Sequence, residues 1–214
     1  MLVIDPATND IVQRVALAGR PLTPIAVGEE LWFVTRDDNA LHVVDLAGFD
    51  PGSPVAFDTI PVGADPDRPI EAAGRIWVPT RDAAAVDVVD VASRQVIATL
   101  DVGDTPDTPM AAGNRIWVPN AAGTTVTVID AQSLETVADL EVGSRPRTGV
   151  VAAGAVWVPV ADASVVAQLD IETAEVVDTF ITGLEPDTPM AFDGSVWIPN
   201  GASASVLELA VTEQ

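Results

Sequence analysis

The sequence predicts an all-β fold, a five-bladed β-propeller of four-stranded antiparallel blades, and three observations carry that prediction. A tryptophan recurs at Trp32, Trp77, Trp117, Trp157 and Trp197, every 40 residues from Trp77 onward after a first interval of 45. The segments around it align without gaps: Pro69-Ile70-Glu71-Ala72-Ala73-Gly74-Arg75-Ile76-Trp77-Val78-Pro79-Thr80 matches Pro109-Met110-Ala111-Ala112-Gly113-Asn114-Arg115-Ile116-Trp117-Val118-Pro119-Asn120. Each copy is made of short β-type runs between turn residues, and such a period belongs to a radially repeated sheet rather than to one core with one cleft. The chain therefore reads as a single domain over residues 1–214.

The third copy shows the elements most clearly. Strand A is the short, small run Pro109-Met110-Ala111-Ala112, closed by the hairpin signal Gly113-Asn114. Strand B, Arg115-Ile116-Trp117-Val118-Pro119-Asn120, carries the tryptophan, which is expected to pack between blades because it recurs in every copy and buries a large area. Strand C is Thr125-Val126-Thr127-Val128-Ile129-Asp130. Strand D, Thr136-Val137-Ala138-Asp139-Leu140-Glu141-Val142, completes the blade. Asp130 with Ser133, like Asp5/Thr8, Asp90/Ser93 and Asp170/Thr173, predicts a side-chain-capped turn between C and D. Val102-Gly103 and Val142-Gly143 mark the crossing to the next inner strand, where glycine is expected to supply a positive φ.

With Trp117-Val118-Pro119-Asn120, Val126-Thr127-Val128-Ile129-Asp130 and Val142-Gly143-Ser144-Arg145-Pro146 on view, the chain resembles the YVTN-repeat β-propellers, with Trp for Tyr and Pro for Thr. The resemblance covers nearly the whole sequence. It implies a propeller that acts as a binding or interaction protein in an extracellular, periplasmic or cell-surface setting, and it brings no shared catalytic motif.

The chain starts and finishes inside a repeat. Residues 1–18 match strands C and D, and residues 188–211 match A, B and C, so strand C is present twice. Pairing of the N- and C-terminal strands is expected to close the ring and remove an open edge. Three C-terminal strands with one N-terminal strand would do so, as would two of each.

Composition narrows the partners. Lysine, tyrosine and cysteine are absent, and 10 basic residues face 32 acidic ones for a net charge of −22. That field repels nucleic acid and anionic headgroups. Disulfides and thiolate metal sites are excluded. No apolar run is long enough to span a membrane, and Met1-Leu2-Val3-Ile4-Asp5 lacks the order of a signal peptide. A monomer is expected.

Most catalytic templates fail on inventory. His42 is the single histidine, and no Gly-x-Ser-x-Gly elbow or phosphate loop is present. His42 itself is expected to be solvated or at a strand edge. What remains is the set of departures from symmetry. At the D-to-A crossings the copies read Leu22, Asp67, Asp107, Arg147 and Asp187, followed by Thr23, Arg68, Thr108, Thr148 and Thr188. The B-to-C loops on the same face contribute Arg36, Arg81, Asn120, Asp162 and Asn200. The expected ligand site is thus the channel mouth: Asp67, Arg68, Arg81, Asp107, Asn120, Arg147, Asp187 and Asn200. Asp67, Asp107 and Asp187 are the candidate ligands of a divalent cation, calcium or magnesium. No cofactor is required by this reading, and the partner is an unknown protein or a small polar ligand. Two other functions stay open, a lyase or glycosidase using an acidic funnel and a structural module of a larger surface protein. Ordinary capped turns account for Pro-Asp-Thr-Pro equally well.

Overall fold

Short β-branched runs separated by tight turns fold as hairpin upon hairpin. The computed structural model describes residues 1–17, 19–47, 50, 53 and 55–211. An N-terminal hairpin pairs β1 (Leu2–Ile4) with β2 (Ile11–Arg14). The first blade comprises β3 (Ile25–Val27), β4 (Glu30–Thr35), β5 (Ala40–Asp45) and β6 (Asp58–Pro61). The second comprises β7 (Ile70–Ala72), β8 (Arg75–Thr80), β9 (Ala85–Asp90) and β10 (Gln95–Asp101). The third holds β11 (Met110–Ala112), β12 (Arg115–Pro119), β13 (Thr125–Asp130) and β14 (Thr136–Glu141). The fourth holds β15 (Val150–Ala152), β16 (Ala155–Val160), β17 (Val165–Asp170) and β18 (Val176–Ile181). The fifth sheet has three strands, β19 (Met190–Phe192), β20 (Ser195–Asn200) and β21 (Ser205–Ala210). All pairs are antiparallel, and the short inner strands β3, β7, β11, β15 and β19 neighbour one another in that order.

The cores lie between blades, as the recurring tryptophan predicts. Trp117, Val126 and Val128 of the third blade pack with Val156, Val158 and Leu169 of the fourth, and Trp32 and Trp77 repeat the arrangement toward the second and third blades. Trp32, Trp77 and Trp117 are fully buried. An aromatic of that size, removed from water on both faces, contributes roughly 3 kcal/mol or more of apolar burial per junction. Polar pins reinforce the same seams. The Arg75 guanidinium donates to the Ala131 carbonyl of the next blade, Arg115 to that of Ile171 at 2.6 Å, and Arg94 pairs with Glu30 and Asp58 of the first blade.

The C-to-D turns form as predicted. Asp130 accepts the backbone N–H groups of Gln132 and Ser133, and Leu134 follows in the left-handed region at φ 63°. The crossing glycines divide: one meets the expectation and one does not. Gly143 has a φ of 107°, but Gly103 is not in the left-handed region; there a Cβ would sit 2.6 Å from the Asn120 side chain. At Gly103 the requirement is close approach, and the positive φ moves to Thr105.

The ends differ from expectation too. Among the described residues β1 pairs only with β2, and the fifth sheet stops at β21 without a fourth strand, so the expected pairing of terminal strands is absent. The hairpin instead lies against the first blade, where Met1 and Val3 line a small apolar cavity with Leu31 and Val44. The outward faces of both ends are correspondingly open. Val206 is 62% exposed although its counterparts Val86, Val126 and Val166 are fully buried, and Leu2 and Ile4 are exposed on the hairpin.

Candidate functional site at the channel mouth

One backbone device sets the same position in each blade. The proline of every D-to-A crossing bridges the end of strand B, as Pro21 with Thr35, Pro66 with Thr80, Pro106 with Asn120, Pro146 with Val160 and Pro186 with Asn200. The next residue then donates its N–H to a strand B carbonyl: Leu22 to Val34, Asp67 to Pro79, Asp107 to Pro119, Arg147 to Pro159 and Asp187 to Pro199, at 2.8 to 3.0 Å. The five positions aligned from sequence are therefore structurally equivalent, and their side chains stand where the inner strands begin. Backbone symmetry is complete here; side-chain chemistry is not.

Asp67 is the buried member. Its Oδ2 accepts from Arg36 Nη2 at 2.7 Å and Arg81 Nη1 at 3.1 Å, and its Oδ1 from the Arg68 backbone at 2.7 Å. Asp65 flanks the same two guanidinium groups at 3.5 and 3.8 Å. Asp67 is thus neutralised from within and joins the first two blades. Asp107 is half-buried and accepts backbone N–H groups from Thr108 at 2.8 Å and from Thr148 of the next blade at 3.3 Å. Asp187 is exposed and accepts from the Thr188 backbone. Arg68 leans on Asp67 Oδ1 at 3.6 Å with half its side chain in solvent. Arg147 is half-buried, makes no ion pair within 4 Å of a described carboxylate, and encloses an Nε without a hydrogen-bond partner.

Two expected site residues belong elsewhere. Asn120 and Asn200 are buried and turned into their own blades. Asn120 Nδ2 donates to Thr125 Oγ1 and Thr127 Oγ1, while Asn200 Oδ1 accepts the Gly183 N–H at 3.0 Å. Asn120 joins a cross-strand polar chain that runs from strand B through C to D, with Thr127 donating to Asp139. In the second blade Thr99 donates to Asp87, which also accepts the Gly63 N–H. His42 occupies the same register position in the first blade, opposite Phe33 and Thr59 as Thr127 is opposite Val118 and Asp139. It is buried, with Thr35 Oγ1 2.8 Å from Nε2 and Thr59 Oγ1 3.2 Å from Nδ1, not solvated or at an edge. The signal available from sequence was the polar residue in an otherwise apolar strand C at 42, 87 and 127.

The carboxylates do not assemble as a metal centre. Among the described residues no group of three His, Cys, Asp or Glu side chains is placed to hold an ion, so Asp67, Asp107 and Asp187 are not drawn into one. Asp67 is committed to arginines, and carboxylates spread around a common axis repel one another unless a cation gathers them. The Asp67 cluster is completed by Arg36, which the sequence puts on the same face but not among the eight expected site residues, and by Asp65, which the comparison of copies does not single out. Only the fold brings residues 31 positions apart into contact.

No protein-family model and no curated protein matches the chain. Among solved structures it is similar to a protein of unknown function from Desulfotomaculum acetoxidans, with a TM-score of 0.73 at 10% identity over 96% of this chain and 74% of that one. It is also similar to streptogramin B lyase, with a TM-score of 0.62 at 12% identity over 92% of this chain and 84% of that one. The fold is a β-propeller. The propeller likewise matches the dihydro-heme d1 dehydrogenase NirN, with a TM-score of 0.70 at 15% identity, and spans 99% of its own length but 53% of NirN. At these identities the likeness concerns fold, since one propeller scaffold hosts unrelated activities.

Proposed function

We propose that this propeller is a non-enzymatic binding scaffold that holds a small polar ligand at the channel mouth. The observation that supports the reading is the contrast at the five equivalent crossings: backbone geometry is repeated, while the side chains run Leu22, Asp67, Asp107, Arg147 and Asp187. The Asp67 carboxylate serves its two arginines, and the variety left at the other crossings suits a ligand that binds off the symmetry axis. A bare calcium or magnesium ion is the weaker candidate, because Arg36 and Arg81 already balance Asp67. Function outside the cell or at its surface belongs to the same proposal, on the strength of the YVTN-like repeat.

The test is a calorimetric and thermal-shift screen of sugars, amino acids, small carboxylates, calcium and magnesium, repeated on Asp107→Asn. Saturable binding that weakens in Asp107→Asn supports the mouth. Binding that is indifferent to this substitution places the site elsewhere, and turnover of a screened compound replaces the scaffold reading with an enzymatic one.

A further inference from the structure

The seam between the third and fourth blades carries hydrogen-bond donors without adequate acceptors. Arg147 Nε is enclosed and unpartnered, and no described carboxylate lies within 4 Å of its guanidinium. Thr108 Oγ1 is likewise enclosed without a partner. Gly149 stands where the other crossings carry Pro24, Pro69, Pro109 and Pro189, so an N–H exists only at this one. That N–H reaches the Met110 sulfur at 3.1 Å, a poor acceptor. Proline could not replace it freely, since a Cβ at Gly149 would lie 2.0 Å from the Trp157 carbonyl oxygen. Thr148 ties the groups together, its hydroxyl donating to the Thr108 carbonyl at 3.2 Å.

An enclosed polar group without a partner is costly, and a charged one more so. Among the described residues the other half-buried arginines each reach a carboxylate or, as Arg75 and Arg115 do, a carbonyl of the next blade, whereas the Arg147 side chain has neither. We infer that the seam is a subsite for a small monocarboxylate, whose two oxygens take the fork of Arg147 and accept from the Thr108 hydroxyl. A planar carboxylate matches the guanidinium fork in two parallel hydrogen bonds. The surrounding acid field selects the charge: Asp107 and Asp187 occupy the flanking crossings, and a phosphate or polycarboxylate would meet more repulsion than one guanidinium offsets. The inference rests on the mouth reading and supplies its ligand class.

Isothermal calorimetry at constant ionic strength, with acetate, lactate and glycine as probes and inorganic phosphate as contrast, tests it on the full chain, the Arg147→Gln variant and the Thr108→Val variant. The expected result is saturable binding of at least one monocarboxylate by the parent, at least tenfold weaker in Arg147→Gln, weaker in Thr108→Val, and stronger than binding of phosphate. Circular dichroism and the melting temperature of Arg147→Gln should match the parent, which separates lost binding from lost folding. Carboxylate binding that survives Arg147→Gln but falls in Asp107→Asn overturns the Arg147 subsite and leaves the mouth reading standing. Phosphate binding as tightly as the monocarboxylates overturns the proposed ligand class. Absence of any response from the parent overturns the subsite, whereas a neutral ligand held at the mouth would still sustain the broader reading.

Discussion

The second and fourth blades use the same backbone device at the mouth and place opposite chemistry on it. Asp67 is 2% exposed and saturated by Arg36, Arg81 and a backbone N–H. Arg147, at the equivalent position, has no partner within reach among the described residues. One seam is closed on itself and the other is left with spare donors. The difference teaches that the repeat specifies where a side chain will stand, while its partners come from whichever loops of the adjoining blades reach that point.

The comparison assumes that the two seams are alike beneath the mouth, and the largest expected effect checks this. Trp32 underlies the first seam and Trp117 the other, both fully buried. Trp32→Ala and Trp117→Ala should each cost about 3–5 kcal/mol, measured by urea unfolding. Losses that differ severalfold would mean the seams differ in packing, and the contrast at the mouth would lose its meaning.

A smaller loss is expected when the closed seam is broken. Asp67→Ala leaves Arg36 and Arg81 without their shared acceptor. Removing one partner of a fully buried pair costs about 3–5 kcal/mol, and the partial exposure of both arginines reduces this to roughly 2–3 kcal/mol. Asp67→Ala no more destabilising than Asp187→Ala, an exposed counterpart, would show that the cluster adds little.

The turns opposite the mouth should respond alike in both blades. Asp90 is held below the usual carboxylate value by the Ser93 hydroxyl and then the Ser93 N–H, and Asp170 by the Thr173 N–H and then its hydroxyl. A folded pKa below the unfolded one means that the contribution is complete above the unfolded value and is lost as pH falls through the folded value. Asp90→Asn and Asp170→Asn should each flatten the loss of stability on acidification, followed by melting temperature from neutral pH down into the acid range. An acid limb steeper than the parent's would contradict the sign.

The smallest expected effect is the most discriminating. Arg147→Gln in the absence of ligand should change stability by no more than about 0.5 kcal/mol, because no ion pair is lost. A loss as large as that of Asp67→Ala would mean that Arg147 has a partner in solution and that the open seam is not open.

Much of the scaffold was legible from residues alone, because local chemistry decides it. The recurring tryptophan, Gly113-Asn114 and Asp130 with Ser133 each act within a few residues, and strands, turns and equivalent crossings follow from them. His42, Asn120 and Asn200 were misplaced for the opposite reason. A polar side chain in a B or C strand can face solvent or the interior of the blade, and what settles it is a partner brought alongside by strand pairing: Thr59 is 17 residues from His42, Gly183 17 from Asn200, and Thr127 7 from Asn120.

Sequence by itself determined the repeat, the strand pattern and the five positions where the mouth could vary, since each depends on spacing and short-range turn chemistry. Only the tertiary structure decided that Asp67 is neutralised and that, among the described residues, Arg147 is not and β1 pairs with β2 rather than with β21. Those outcomes depend on which side chains reach one another across a seam, and distance in space is not encoded by periodicity along the chain.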